Sequence, residues 1–388
     1  MTTTIDNEHK TFNVPNLRFP EFEGEWGKTK LKEISKFSKE RLKSIELSCS
    51  NYVTTENMLQ DYQGVVSATN LPTNTNVVKF SKGDVLLSNI RPYLKKVWHA
   101  DRNGGCSIDV FVFKALPICN SNFLHHVIAN DRFIKFAMSG AKGVKMPRGD
   151  KEQMITYKVG LPCIEEQKKI AVFLSLIDER ISTQNKIIED LKKLKCAIIE
   201  KLYSEIQGKE YLYGQLFEVV NKRNKQMEYS NILSASQEKG MVNRDGLNLD
   251  IQFERSNINT YKIVRAGDYV IHLRSFQGGF AFSDKLGVCS PAYTILRPNC
   301  LLEYGYLSYY FTSHRFIKSL IIVTYGIRDG RSINIEEWLN MKVIIPSKEY
   351  QLHTLKILRS IEGKIENEET YTICLSNQKQ YLLNQMFI

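Results

Sequence analysis

Apolar residues recur in steps of three and four after Pro162, at Ile170, Leu174, Ile177, Ile181, Ile188, Leu191, Ile198 and Leu202, with Gln184 and Lys195 completing the series. After Pro346 the steps return at Leu358, Ile361, Ile365, Thr372, Leu375, Leu382 and Met386, with Glu368 and Lys379 in the places of Gln184 and Lys195. A stripe at this spacing is a coiled-coil seam, because one narrow apolar face needs a second helix to cover it. Each pattern runs for about 40 residues, or roughly 60 Å of helix, far beyond the mean of about 11–12 residues for a globular helix. The spacing predicts two helical spacers, residues 161–206 and 346–388, packed on each other. Antiparallel pairing would relate the halves by a pseudo-twofold axis, put a globular region at each end and make the helices a ruler.

The segments between the helices read as strands and turns, and they also repeat. Arg132-Phe-Ile-Lys135 returns as Arg315-Phe-Ile-Lys318, an offset of 315 − 132 = 183, and Gly143 and Arg148 fall on Gly326 and Arg331. Pro162, Glu165 and Gln167 fall on Pro346, Glu349 and Gln351 at an offset of 184. Phe80 to Ser88 and Val264 to His272 each place a Gly-Asp turn before an apolar run, which predicts a buried strand. Asp109 to Lys114 and Ala292 to Arg297 are β-branched and aromatic, further strand candidates. One helix should follow in each half, capped by Asn120 or Ser121 and stopped at a left-handed Gly140 in the first, and spanning Tyr306 to Val323 in the second. Tyr157 to Leu161 and Met341 to Ile345 are expected as the last strands. Tyr52 to Lys79 has no clear counterpart in Tyr229 to Tyr261. The fold class is therefore α+β: a polar leader at 1–16, globular domains at 17–160 and 207–345, and the two spacers.

A content of 43% hydrophobic and 11% aromatic residues in 388 excludes a disordered chain. The net charge of +11 favours a polyanionic partner, nucleic acid or a membrane surface, over a neutral one. Eight cysteines without a Cys-x-x-Cys pair, and no apolar export segment, read as reduced, buried thiols in a soluble cytoplasmic protein. No apolar run approaches a membrane span.

Catalytic patterns are missing. Gly27-Lys28-Thr29 has Phe22 where a phosphate loop needs glycine. There is no Gly-x-Ser-x-Gly elbow. His125 and His126 are helix neighbours that point to different faces, a poor metal site better read as partly exposed helix surface, and the other histidines have no ligand spacing. Glu165 and Glu166 begin a helix, where carboxylates offset the macrodipole. The remaining lead is basic: Arg91, Lys95 and Lys96 after one Gly-Asp strand, Arg274 after the other, Lys142, Lys145 and Arg148 in one post-helix loop, and Arg328 and Arg331 in its counterpart. Such residues can hold phosphates or read guanine. For Arg148 and Arg331 the repeat equally allows a buried arginine that staples the loop.

Val14-Pro-Asn-Leu-Arg-Phe-Pro-Glu-Phe22 with Gly24 and Trp26, the paired Gly-Asp strands, and Leu161-Pro-Cys-Ile-Glu-Glu-Gln167 opening a long helix resemble the specificity (S) subunits of type I restriction–modification systems. The second copy departs at Tyr350, where the first has Glu166. The resemblance implies two target recognition domains separated by two conserved helices in an antiparallel coiled coil. Each domain would read half of a bipartite, asymmetric site in double-stranded DNA. The helices would set the unread spacer and dock two methyltransferase (M) subunits, joined in the full complex by two restriction (R) subunits. S-adenosylmethionine, ATP and Mg would belong to those partners and no cofactor to this chain, which would be non-catalytic. The resemblance transfers no individual contact residue. A coiled-coil scaffold with two protein-binding domains accounts for the helices and the repeat but not for the charge; a nuclease fused to its own recognition module lacks a carboxylate constellation.

Overall fold

The computed structural model describes residues 13–236, 239–244, 255–272, 279–325 and 332–388. It divides into two compact units, Met1–Lys186 with Glu369–Ile388, and Ile187–Glu368.

In the first unit a four-stranded antiparallel sheet orders Ser35–Phe37, Val110–Ala115, Val85–Ser88 and Val97–His99. Every residue of Val85–Ser88 is buried, which explains its uninterrupted apolar run. Gly83 before it holds φ +90°, a region open to glycine, and the Asp84 carboxylate accepts the Ser81 N–H at 2.8 Å to close the turn. A second sheet orders Arg41–Lys43, Asn76–Phe80, Gly104–Cys106 and Tyr52–Val53. Gly27–Lys30, which holds the Gly-Lys-Thr sequence, is a strand paired with Lys158–Leu161.

The second unit repeats the main sheet in the same order: Phe217–Val220, Thr294–Pro298, Tyr269–Ile271 and Phe280–Phe282. Lys209–Leu212 pairs with Lys342–Ile345 as Gly27–Lys30 does with Lys158–Leu161. Gly267 takes φ +97°, and Asp268 accepts the Arg265 N–H and a bidentate pair from Arg297 at 2.8 and 2.9 Å. Where the first unit has its second four-stranded sheet, the described residues of the second form two strand pairs, Leu233–Ser236 with Gly240–Asn243 and Lys262–Val264 with Gly287–Cys289. The divergence lies where the sequence match fails.

The single helix expected in each half is broken. In the first, Ser121–Ile128 is capped by Asn120 and Asp131–Ser139 by Asn130, whose side chain accepts the Arg132 N–H and starts a new helix. In the second, Tyr306–Tyr310 and His314–Ser319 are separated by the Ser313 cap. Gly140 is not left-handed but holds φ −108°. A Cβ there would meet Gln153 Oε1 at 2.0 Å and displace the Gln153 amide, which crosses this point to donate to Phe136 O and Ser139 Oγ.

The long helices are Ile164–Ser204 and Lys348–Met386. Within the first unit the beginning of one lies against the end of the other: Lys379 pairs with Asp178, and Arg180 sits 5.5 Å over the Tyr371 ring. Within the second unit Lys195 pairs with Glu362 at 2.5 Å, and the Tyr350 hydroxyl donates to Leu202 O. The helices are antiparallel. Leu174, Ile188, Leu358, Ile365, Leu375 and Leu382 are buried, and Ile177, Ile181, Leu191 and Ile361 are half-buried. The polar seam positions have partners of their own. Both 379 − 195 and 362 − 178 equal 184, so the two lysine–carboxylate pairs are one contact made twice.

Each long helix is fastened by the glutamine of its opening motif. Gln167 accepts the Asn120 N–H at 2.8 Å and donates to Ile118 O and Pro162 O; Gln351 accepts from Glu303 N and donates to Leu301 O and Pro346 O. Glu166 does more than offset a macrodipole. It is buried, it takes a bidentate 2.8 Å pair from Arg18, and the Trp26 indole donates to it at 3.3 Å. Arg18 also donates to Gly24 O and Glu23 O. The Pro-Asn-Leu-Arg-Phe-Pro sequence is thereby tied to the helix start.

Two further expectations need correction. Cys106, Cys119 and Cys289 are buried, but Cys49, Cys163, Cys196, Cys300 and Cys374 are exposed. His126 is not helix surface: it is wholly buried, and His125 beside it is half-buried. The helix lies under the first long helix, so both rings enter the packed interface; burial first, and then the Lys379 ammonium, lowers the His126 pKa to about 3. The unfolded chain takes up this proton near pH 6.5 and the folded chain does not until about pH 3. Stability is therefore lost as pH falls through that window, at a slope approaching ~1.4 kcal/mol per pH unit. Urea unfolding between pH 7 and 4.5 should show this slope, and His126→Tyr, which installs the residue of the equivalent position Tyr309, should reduce it. Equal pH dependence in both proteins would refute the assignment.

Candidate nucleic-acid interface

The first unit gathers part of the basic set into one place. The turn after Val85–Ser88 carries Arg91 and Lys95, both with positive φ, at 50° and 53°. The loop after Asp131–Ser139 closes as a small hairpin, Lys142 N–H to Arg148 O and Arg148 N–H to Lys142 O, both 2.9 Å. The two segments are laced together: Arg91 N donates to Pro147 O at 2.8 Å, Gly149 N to Asn89 O at 3.1 Å, and Ile90 bridges to Arg148. Arg91, Lys145 and Arg148 therefore share one loop cluster beyond the sheet end.

The side chains differ in what they are free to do. Arg148 is 55% exposed and pairs with Asp109 at 3.0 Å, so it is not a buried staple. Lys145 is exposed, flanked by a fully exposed Val144 and an exposed Met146. Lys142 pairs with Asp150 at 2.9 Å, and its hydrogen bond to that carboxylate raises its pKa. Arg91 is half-buried, and its Nε has no partner. Lys95 and Lys96 turn inward instead. Lys95 pairs with Asp131 at 2.8 Å beside Tyr62, and Lys96 donates to Thr55 O.

In the second unit Arg274, Arg328 and Arg331 lie outside the described residues. Thr324–Tyr325 pairs with Ser332–Ile333 on either side of the last two. A basic segment that the sequence reading passed over, Lys222, Arg223 and Lys225, lines an open cavity of about 490 Å³ with Asn221, Asn224 and Ile263. Its signal was plain as the charge run Asn-Lys-Arg-Asn-Lys. Among the described residues no helix is long and apolar enough to cross a membrane.

Residues 23–193 match the family of the type I restriction modification DNA specificity domain. Over 282 residues the chain is 27% identical to the type I restriction enzyme MjaVIII specificity subunit of Methanocaldococcus jannaschii, covering 64% of this chain and 65% of that protein. The match thus spans just under two thirds of that relative's length. A solved chain from work on complex assembly and conformational transition of the type I R-M system superposes at TM-score 0.58 over 93% of this chain and 97% of its own, at 16% identity. The type I restriction–modification S subunit from M. genitalium superposes at TM-score 0.54 over 97% and 99%, at 15% identity. Both superpositions extend over nearly the whole of each chain, so the overall fold is shared.

Proposed function

We propose that this chain is a specificity subunit of a type I restriction–modification system, the non-catalytic reader of a bipartite, asymmetric DNA site in a cytoplasmic modification and restriction complex; the match of residues 23–193 to that family's DNA specificity domain and the 27% identity to the MjaVIII specificity subunit support it. Each globular unit reads one half-site. The paired helices set the unread spacer and dock two M subunits, with two R subunits joining in the full complex. S-adenosylmethionine, ATP and Mg act on those partners. The observation that carries this reading is the repeat in three dimensions. One sheet order, one glutamine staple and one lysine–carboxylate pair occur twice on antiparallel helices.

A chain built this way suits an extended, regular partner, and its charge of +11 suits a polyanion. In the first unit Arg91, Lys145 and Arg148 contact DNA. Two loops fixed to each other by backbone hydrogen bonds present these cations with little conformational freedom left to lose. Val144 at the tip supplies the apolar contact that a thymine methyl group accepts. In the second unit Arg274, Arg328 and Arg331 take the corresponding role.

Replacing Arg91, Lys145 and Arg148 together by alanine should weaken DNA binding by the complex with its M subunits. It should also flatten the dependence of log K on log salt, by about 0.9 for each phosphate that is no longer neutralised and so by up to about 3. The fold should survive, because the exposed Arg148–Asp109 pair contributes little to stability. Fluorescence anisotropy titrations over a salt series read both quantities; an unchanged slope would reject these residues as phosphate contacts.

A further inference from the structure

His125 and His126 sit together on Ser121–Ile128 with ring centroids 5.1 Å apart, and the His99 ring is 5.5 Å from His125. Asp178 reaches the same point from the first long helix. One ring nitrogen of each of the two helix histidines and one Asp178 oxygen lie within 4.8 Å of each other. Three imidazole nitrogens here are buried without a hydrogen-bond partner: Nδ1 of His125, Nδ1 of the wholly buried His126, and Nε2 of His99. Stranded polar atoms are rare in folded interiors because each forfeits its hydration. Three in one cluster need an explanation.

The internal repeat supplies the comparison. At the equivalent positions the second unit has Ser308 for His125, Tyr309 for His126, Glu362 for Asp178 and Lys195 for Lys379. There the set is closed. Tyr309 Oη donates to Glu362 Oε2 at 2.5 Å, Lys195 pairs with Glu362 Oε1, and the ammonium lies 5.4 Å over the Tyr309 ring. In the first unit Lys379 keeps the carboxylate, but the hydroxyl donor is gone and two imidazoles stand in its place.

We propose that the first unit holds a divalent transition-metal site of the zinc class, with His125, His126 and Asp178 as ligands. Imidazole nitrogen and carboxylate oxygen are ordinary zinc donors, and three protein ligands leave a fourth position for water. Adjacent helical histidines alone carry no such spacing; the site exists because the long helix brings Asp178 across. The metal ties the helix Ser121–Ile128 to the long helix, the task Tyr309 performs with a hydrogen bond in the second unit. Lys379 is its competitor for Asp178.

The test uses tag-free full-length chain, stripped with a chelator and titrated with Zn²⁺ by calorimetry and with Co²⁺ by visible absorption. One equivalent should bind, with a Co²⁺ ligand-field band and a rise in Tm at saturation. The double exchange His125→Ser with His126→Tyr copies the second unit, so it should fold, bind no metal and show a Tm indifferent to Zn²⁺. Lys379→Met should bind Zn²⁺ more tightly than the unaltered chain. Absence of stoichiometric binding by the unaltered chain would overturn the site. So would a double variant that binds as the unaltered chain does, or a Lys379→Met variant whose affinity is unchanged.

Discussion

Insertion of one heptad between Ile188 and Lys195, matched by one between Glu362 and Glu369 on the facing helix, is expected to lengthen the unread spacer and leave both half-sites as they were. Seven residues add about 10.5 Å of helix, roughly three base-pair steps of 3.4 Å where the helix axis follows the duplex. The heptad keeps the seam in phase, since the apolar face recurs every 3.5 residues in a coiled coil. Matching both helices is essential. An insertion in one alone would slide Lys195 away from Glu362, or Lys379 from Asp178, and strand a half-buried charge. The sequence modified by the complex with its M subunits reads the outcome directly. Changed half-sites with an unchanged spacer would mean that the helices do not measure distance.

The second large effect concerns stability. Gln167→Leu should destabilise the first unit, and Gln351→Leu the second, by about 3 kcal/mol each. Leucine has similar bulk but no amide, so one backbone N–H and two carbonyls lose their partner, buried at Pro162 and Pro346 and partly buried at the other positions. Each stranded group costs on the order of 1 kcal/mol or more. For a unit of this size that corresponds to a fall in Tm of roughly 6–12 °C. Calorimetric unfolding of each variant measures it, and a loss below about 1 kcal/mol would show that the staple is dispensable. This pair explains why Pro…Glu-x-Gln is legible in sequence at all: the glutamine fixes the angle at which a long helix leaves its globular unit.

Much of the architecture could be read from periodicity. The seam positions are buried or half-buried, and the Gly-Asp turns, the last strands and Asn120 as a cap stand where the pattern put them. What was illegible depended on contacts distant in sequence. A second cap at Asn130 divides a run that looks helical throughout, because an asparagine can cap or simply face water. Gly140 looked like a left-handed stop, yet its reason is the Gln153 amide passing close by. Glu166 looked like a helix-start carboxylate until Arg18 and Trp26 closed on it. The helix pattern around His126 points to the surface, while its environment is made by residues some fifty positions away, at Ser175 and Asp178. The basic set divided in the same way: charge is visible in sequence, but only the fold distinguishes Lys95, bound to Asp131, from the exposed Lys145.

The most direct measurement is the map of modified adenines in DNA exposed to this chain with its M subunits and S-adenosylmethionine, alongside protection of the same DNA by the complex. The account expects two short, unrelated specific blocks separated by a fixed run of unread base pairs. One contiguous recognition sequence, or protection without sequence preference, would contradict it.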